Sequence, residues 1–190
     1  MPKIQAATVA EHRALQRRAI LKAAREIIAE GGTEAPSLSA VAQRTGLARP
    51  SVYQYFTSRA DLLNAVIAEL FPQWSAYVTE QMDQATTSGD RVLAYVAANL
   101  HLVATGEHAI VRALAALVPA ESITKPSRDL HEQLRTPLVT ALTERGAIDP
   151  DGTADLIQAI VYAASRMIEN GTPEPKALAL TRDLLEPYLR

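Results

Sequence analysis

The chain contains no cysteine. That excludes a disulfide frame, a thiol nucleophile and a thiolate metal site. It also lacks a long hydrophobic run: Arg112 interrupts the richest apolar stretch, which falls short of the ~20 residues a membrane span needs. No membrane partner is expected. The first residues carry no apolar core of a secretion signal, so the expected location is cytoplasmic. Catalytic motifs are missing too. There is no GxSxG, no phosphate-binding GxxxxGK[ST] and no GxGxxG, so a nucleophile, a phosphate cradle and a dinucleotide site have no sequence support. The histidines are His12, His101, His108 and His131. They form no HExxH, and Gly106 breaks any shared helical face between His101 and His108. Asp149-x-Asp151-Gly152 resembles the start of a calcium loop but lacks the third acid and the distant glutamate, so it reads as a capped turn. No catalytic residue, metal or cofactor is expected.

What is present is a helical composition. Of 190 residues, 48% are hydrophobic and 21% charged, enough for one large domain or two small ones with a core that needs no staples. Alanine occurs 34 times, beside abundant leucine, arginine, glutamate and glutamine, all helix formers. No segment alternates apolar and polar residues with β-branched enrichment. The net charge of −2 hides an asymmetry: residues 1–60 hold nine Lys/Arg against four acids, a net +5, and the remainder carries −7. A basic third on an acidic body suggests that one end meets a polyanion, although solvated helix faces can produce the same imbalance.

The punctuation predicts an all-α fold of about nine helices. Thr8-x-x-Glu11 is a capping box for the first, whose stripe is Ile20, Ala24, Ile27 and Ile28 and which Gly31-Gly32 ends. Ser37 caps a second helix carrying Leu38, Val41 and Ala42 inward. Gly46 breaks it, and a third runs from about Arg49 to Phe56. Ser58-x-x-Asp61 caps a long fourth helix, with Leu62, Leu63, Val66, Ile67, Leu70, Trp74, Val78 and Met82 as its stripe. Pro72 should kink or split it. A fifth follows Ser88-Gly89, and a sixth bears Ile110, Val111, Leu114, Leu117 and Val118. Pro119 to Pro126 reads as a loop. The seventh spans about Ser127 to Arg145, the eighth Thr153 to Asn170, and the ninth starts after Pro173 and Pro175 and ends near Tyr188.

The informative stretch is Ser37 to Leu63, SLSAVAQRTGLARPSVYQYFTSRADLL. Two short helices joined by a tight turn at Gly46 make a helix-turn-helix. On the second, Val52 and Phe56 lie four apart and share an inward face. Pro50, Ser51, Gln54 and Tyr55 project the other way, with Arg49 and Tyr53 on the flanks. Polar and aromatic groups on the outer face of a short helix suit a DNA major groove. Pro50 is tolerated because the first helical turn has no partner for its missing N–H.

Residues Thr45 to Leu62 resemble the tetracycline-repressor (TetR) family of bacterial transcriptional regulators, whose pattern reads approximately T-G-[VL]-S-x-x-[ST]-[LV]-Y-x-[HY]-F-x-[SN]-K-x-x-L. The chain has TGLARPSVYQYFTSRADL there, and the upstream AILKAAREIIAEGG is similar to the family's first helix. The resemblance covers about residues 16–64. Two positions depart: Ala48 stands where serine is usual, losing an N-cap of about 1 kcal/mol, and Arg59 replaces lysine but keeps the cation.

The resemblance implies a DNA-binding domain over 1–57 and an effector-binding and dimerisation domain over 58–190. It implies phosphate contacts from Ser37, Tyr53, Tyr55 and Arg59, which fix register. Base-edge contacts would come from Arg49, Pro50, Ser51 and Gln54, with Arg suited to guanine and Gln to adenine. The basic first helix (Arg13, Arg17, Arg18, Lys22) would add long-range attraction. The partners implied are double-stranded operator DNA, a second copy of the chain and a small, largely apolar effector. For the homodimer seam, the eighth and ninth helices offer Leu156, Ile160, Ala163, Ala164, Leu184 and Leu185, two helices per subunit completing a four-helix bundle. For the effector, polar or aromatic groups beside apolar stripes single out Trp74, Tyr77, Tyr95, Asn99, Tyr162 and Arg166, whereas His108 and Arg112 read as a solvated face. The expected activity is a repressor that leaves its operator when the effector binds. A constitutive DNA-binding protein without a ligand switch, and a helical lipid carrier with a basic membrane-facing end, are the competing readings.

Overall fold

The computed structural model describes residues 9–30 and 36–190. Lys3, Thr8, Gly31, Gly32 and Glu34, and with them the capping box and double-glycine stop of the first helix, lie outside the described residues. Among the described residues nine α-helices appear: α1 Val9–Ala29, α2 Leu38–Thr45, α3 Arg49–Tyr53, α4 Arg59–Asp83, α5 Ser88–Ala104, α6 Glu107–Ala115, α7 Glu121–Arg145, α8 Pro150–Glu169 and α9 Glu174–Leu189.

The caps explain most boundaries. Ser37 Oγ accepts from the Ala40 amide at 3.0 Å and Ser58 Oγ from the Asp61 amide at 3.1 Å, satisfying donors that a helix start leaves open. Asp61 answers with its carboxylate, which accepts from the Thr57 amide, one residue before the N-cap, at 2.8 Å. Asp149 caps α8 by accepting from the Gly152 amide at 2.9 Å, so the DxDG stretch is a capped turn. A Cβ at residue 152 would stand 2.3 Å from Asp149 Oδ2, so a larger residue there would have to shift the capping carboxylate.

Three expectations need correction. α3 is shorter than the Arg49–Phe56 pattern suggested, ending at Tyr53; with Ala48 as its N-cap and no side-chain hydrogen bond there, nothing local reinforces it. Pro72 does not split α4, which is continuous from Arg59 to Asp83. Buried Leu70, Phe71, Trp74 and Val78 on either side hold it together against the ~3 kcal/mol a helix-interior proline costs. Pro119 to Pro126 is not all loop, because α7 begins at Glu121 and runs through both Pro126 and Pro137. Its first turn is started by the Thr124 amide bonding the Ala120 carbonyl at 2.9 Å, and Leu130, Leu134, Leu138 and Leu142 bury its inner stripe.

α5 is the hub. It packs against α4, α6, α7, α8 and α9, and Val92, Tyr95, Val96, Ala98, Leu100 and Leu102 are buried along it. Burial of this kind, at about 25 cal/mol per Å² of apolar surface, drives the assembly. α9 closes against the start of α5, where a Cβ on Gly89 would lie 2.5 Å from the Leu189 carbonyl oxygen. α1, α2 and α3 form a cluster at one end, joined to the rest through packing of α1 on α4 and α6. Among the described residues no helix is long and apolar enough to cross a membrane.

Candidate nucleic-acid interface and ligand cavity

The turn between α2 and α3 is set by Gly46, whose φ of +70° is left-handed and strained for any residue with a Cβ. The Leu47 amide then bonds the Ala42 carbonyl at 3.1 Å and closes the end of α2. α3 leaves this turn with Val52 and Phe56 buried at 0% and 2% exposure. Arg49, Pro50, Tyr53 and Gln54 are exposed and Ser51 is half-buried. Arg49 lies over the Tyr53 ring, 5.9 Å from its centroid, which holds the guanidinium at the open face. Arg59 and Ser37 are also exposed. Tyr55 differs: it is half-buried, its hydroxyl donates to Gln16 Oε1 of α1, and Arg13 sits over its ring. The outward position expected for Tyr55 is therefore a brace between α3 and α1.

Much of the positive charge in this end is consumed internally. Arg17 pairs with Glu69 at 2.6 Å, Arg25 with Glu107 at 2.7 Å and Arg44 with Glu30 at 2.7 Å. The Arg44 pair lowers the Glu30 carboxyl from its usual range, mainly through the hydrogen bond. Arg49 and Arg59 stand exposed.

Behind α4 lies a cavity of about 270 Å³ walled by α4, α5, α6, α7 and α8. Of the predicted effector residues, Trp74, Tyr95, Asn99 and Tyr162 line it. Tyr77 and Arg166 do not: Tyr77 turns to the His101 ring, centroids 5.9 Å apart, and Arg166 is exposed. Sequence reading missed Phe71, Leu102, Leu130, Leu134, Gln158, Val161 and Ser165, which also line the cavity. His108 and Arg112, read as a solvated face, belong to it as well. His108 stacks on Trp74 at 5.4 Å. Burial holds its imidazole below the ordinary pKa, only partly opposed by Glu169.

Several polar groups on the wall already have partners. The Tyr95 hydroxyl donates to Gln158 Oε1, and burial pushes its pKa upward, so it stays neutral. Asn99 Nδ2 donates to the Tyr95 carbonyl at 2.7 Å. His131 Nδ1 lies 2.7 Å from the Ser127 carbonyl. A carbonyl only accepts, so Nδ1 carries the proton, and in the neutral ring Nε2 accepts from the Tyr162 hydroxyl at 2.8 Å. Arg112 and Glu169 pair at 3.0 Å. The Trp74 indole N–H donates to Glu107 at 3.1 Å, and the same carboxylate receives both Arg25 bonds, at 2.7 and 2.8 Å. A short chain of contacts thus joins the cavity wall to α1. The Ser165 hydroxyl, 5% exposed, has no partner.

A second, more open cleft of about 630 Å³ lies between α1, α4 and α6. Arg18, Lys22, Arg25, Glu26, Glu69 and Glu107 border it, which makes it a solvated groove of mixed charge, unlike the aromatic and aliphatic cavity.

On α8 and α9 the predicted seam residues divide. Leu156 and Leu184 are exposed at 69% and 68%, Ala163 is exposed and Ile160 half-buried. Ala164 and Leu185, at 4% and 6%, face the protein's own core, so they are not available to a partner. Leu180 and Tyr188, not singled out from sequence, extend the outer stripe of α9; their four-residue spacing around Leu184 was the signal that could have found them.

The chain thus combines a helix-turn-helix, with exposed polar groups on α3, and a helical body that holds a largely apolar cavity. Residues 20–66, about a quarter of the chain, match the model of bacterial regulatory proteins, tetR family. The chain is 30% identical over 89 residues to the fatty acid metabolism regulator protein of Bacillus subtilis (strain 168). That match covers 47% of this chain and 45% of the relative, so the chain spans about half the length of the curated relative it matches. The crystal structure of the transcriptional regulator FadR from Bacillus subtilis, in complex with stearoyl-CoA, superposes with a TM-score of 0.64 at 20% identity, covering 89% of this chain and 95% of that one. A transcriptional regulator from Saccharomonospora viridis, in complex with choline, gives a TM-score of 0.77 at 16% identity, covering 91% and 96%. At these identities the likeness is one of fold.

Proposed function

We propose that the chain is a cytoplasmic repressor that binds a palindromic operator as a homodimer and is released by a small, largely apolar effector. Residues 1–57 would form the reading head and 58–190 the effector-binding and dimerisation body. Arg49, Pro50, Ser51 and Gln54 meet base edges, while Ser37, Tyr53 and Arg59 meet phosphates. Tyr55 orients α3 from behind through Gln16. The outer stripe of Leu156, Ile160, Ala163 and Leu184 forms the twofold seam, which sets two copies of α3 one or more helical turns apart.

The observation that carries the effector reading is the enclosed cavity against α4, whose wall residue Trp74 shares Glu107 with Arg25 of α1. An effector that moves Trp74 changes what Glu107 offers to Arg25, and α4 and α1 shift together. The spacing of the two reading heads changes, and both must fit the duplex at once. The effector acts only through its different affinity for the two arrangements. Stearoyl-CoA and choline, seen in similar folds, are consistent with a ligand in this body.

The test is to select fragments of the source genome that the protein retains, then titrate the best fragment with and without apolar metabolites. A palindromic site, and a loss of affinity when a ligand occupies the cavity, are expected. Occupancy with unchanged operator affinity would establish the constitutive DNA-binding alternative instead.

A further inference from the structure

Taking the cavity to be the effector site, we propose that its ligand is a small uncharged molecule, mostly hydrocarbon, with one hydrogen-bonding oxygen matched to Ser165. An alcohol or ketone fits; a carboxylate, an amine or a coenzyme A thioester does not.

Phe71, Trp74, Leu102, Leu130, Leu134 and Val161 give the cavity an apolar lining, which rewards hydrocarbon. The Tyr95 hydroxyl, Gln158 Oε1, Asn99 Nδ2, the Tyr162 hydroxyl and the His131 ring are engaged with one another or with backbone. A ligand that competed for those atoms would have to break a made bond, which offsets the bond it gains. Ser165 Oγ is different. It lines the cavity, is 5% exposed and has no partner. A buried hydroxyl without a partner is costly, and a ligand oxygen placed against it removes that cost without breaking anything.

The charges lead to the same class. Arg112 and Glu169 both line the cavity and pair at 3.0 Å. An anion could use Arg112 only by displacing Glu169, and a cation could use Glu169 only by displacing Arg112. Either leaves a charge of the ligand's own sign facing it at the cavity rim, where the Arg112 side chain is 62% exposed and that of Glu169 24%. Glu107, behind Trp74, is already matched by Arg25. The volume of about 270 Å³ lies just below the usual range of about 300–1,000 Å³ for drug-sized ligands, which also favours a small molecule.

Trp74 is the single tryptophan of the chain and a wall of the cavity, so its fluorescence reports occupancy of the intact protein. Cyclohexanol, cyclohexanone, methylcyclohexane, cyclohexanecarboxylate, cyclohexylammonium and isovaleryl-coenzyme A are titrated in turn, each with operator affinity measured in parallel. The alcohol and ketone are expected to saturate at concentrations at least about ten-fold below the charged probes. Ser165→Ala should weaken the alcohol about ten-fold and leave methylcyclohexane unchanged. Tighter binding of the carboxylate, the amine or the thioester overturns the proposal, and if that probe also releases operator the effector-site reading stands. An unaltered preference for alcohol over methylcyclohexane in Ser165→Ala overturns the role of Ser165. Neutral probes that fill the cavity and leave operator affinity unchanged support the ligand class and sink the switch. No fluorescence response to any probe removes both.

Discussion

Arg49 and Arg59 are both exposed arginines at the helix-turn-helix end, yet they should behave differently. Arg49→Ala is expected to cost about 1–3 kcal/mol at one base position and relax specificity there, whereas Arg59→Ala should weaken operator and random DNA alike and lower the salt slope by about one. Arg17 is a control: its guanidinium is bonded to Glu69 at 2.6 Å, so Arg17→Gln should leave the slope unchanged. Titrations on both DNAs at several salt concentrations separate the three, and equal losses on operator and random DNA for Arg49→Ala would contradict its assignment to a base. His108 gives the pH prediction. Burial lowers its pKa from the ordinary 6.5; Arg112 and His131 lower it further, and Glu169 and Glu107 oppose the shift. Between the depressed folded value and 6.5 the unfolded chain binds more protons, so the stability this group supplies is present above pH 6.5 and lost as pH falls through the folded value. Urea midpoints should fall more steeply toward about pH 5 in the wild type than in His108→Gln; parallel profiles would remove His108 as the source.

At the scale of elements, two contacts decide how helices sit. Gly89 lets the start of α5 approach the last carbonyls of α9, since a Cβ would reach within 2.5 Å of Leu189 O. Gly89→Ala should push α9 outward and cost about 1–3 kcal/mol in chemical denaturation, the usual range for overpacking; an unchanged midpoint would mean that the α9 end yields freely. The second contact is the Arg25–Glu107–Trp74 chain linking α1, α6 and α4. Glu107→Gln removes the charge that holds Arg25 while keeping an acceptor for the indole. The expected outcome is an effector that still binds, read from Trp74, with a smaller change in operator affinity. Full coupling in that variant would place the route elsewhere, for instance directly through α4.

The whole molecule should work in pairs. Leu156, Ile160, Ala163, Leu180, Leu184 and Tyr188 form an apolar stripe that one copy leaves wholly or partly open, and a reading helix of five residues has little contact area of its own. Ile160→Glu and Leu184→Glu should dissociate the dimer in sedimentation velocity. Both positions lie outside the fully buried core, so the helical circular dichroism should persist. Operator affinity should collapse toward that of random DNA, because two half-sites are no longer held at once. Dimers that survive both substitutions would move the seam to another face.

The sequence by itself determined what depends on neighbours a few residues apart. Ser37, Ser58 and Asp149 marked helix starts, Gly46 marked the left-handed turn, and the four-residue spacing of Val52 and Phe56 fixed which side of α3 faces inward. Those are local backbone and side-chain interactions, complete within one or two turns. Only the tertiary structure decided the rest. Pro72, Pro126 and Pro137 stay inside helices because packing on either side outweighs the lost hydrogen bonds. Ala164 and Leu185 turn inward while Leu156 and Leu184 turn out, since a helix with apolar residues on two sides can be rotated correctly only by what packs against it. The cavity was the least legible feature. Trp74, Tyr95, His108, His131 and Ser165 lie on five different helices, and no spacing along the chain encodes that they meet; the packing of those helices around α5 brings them together.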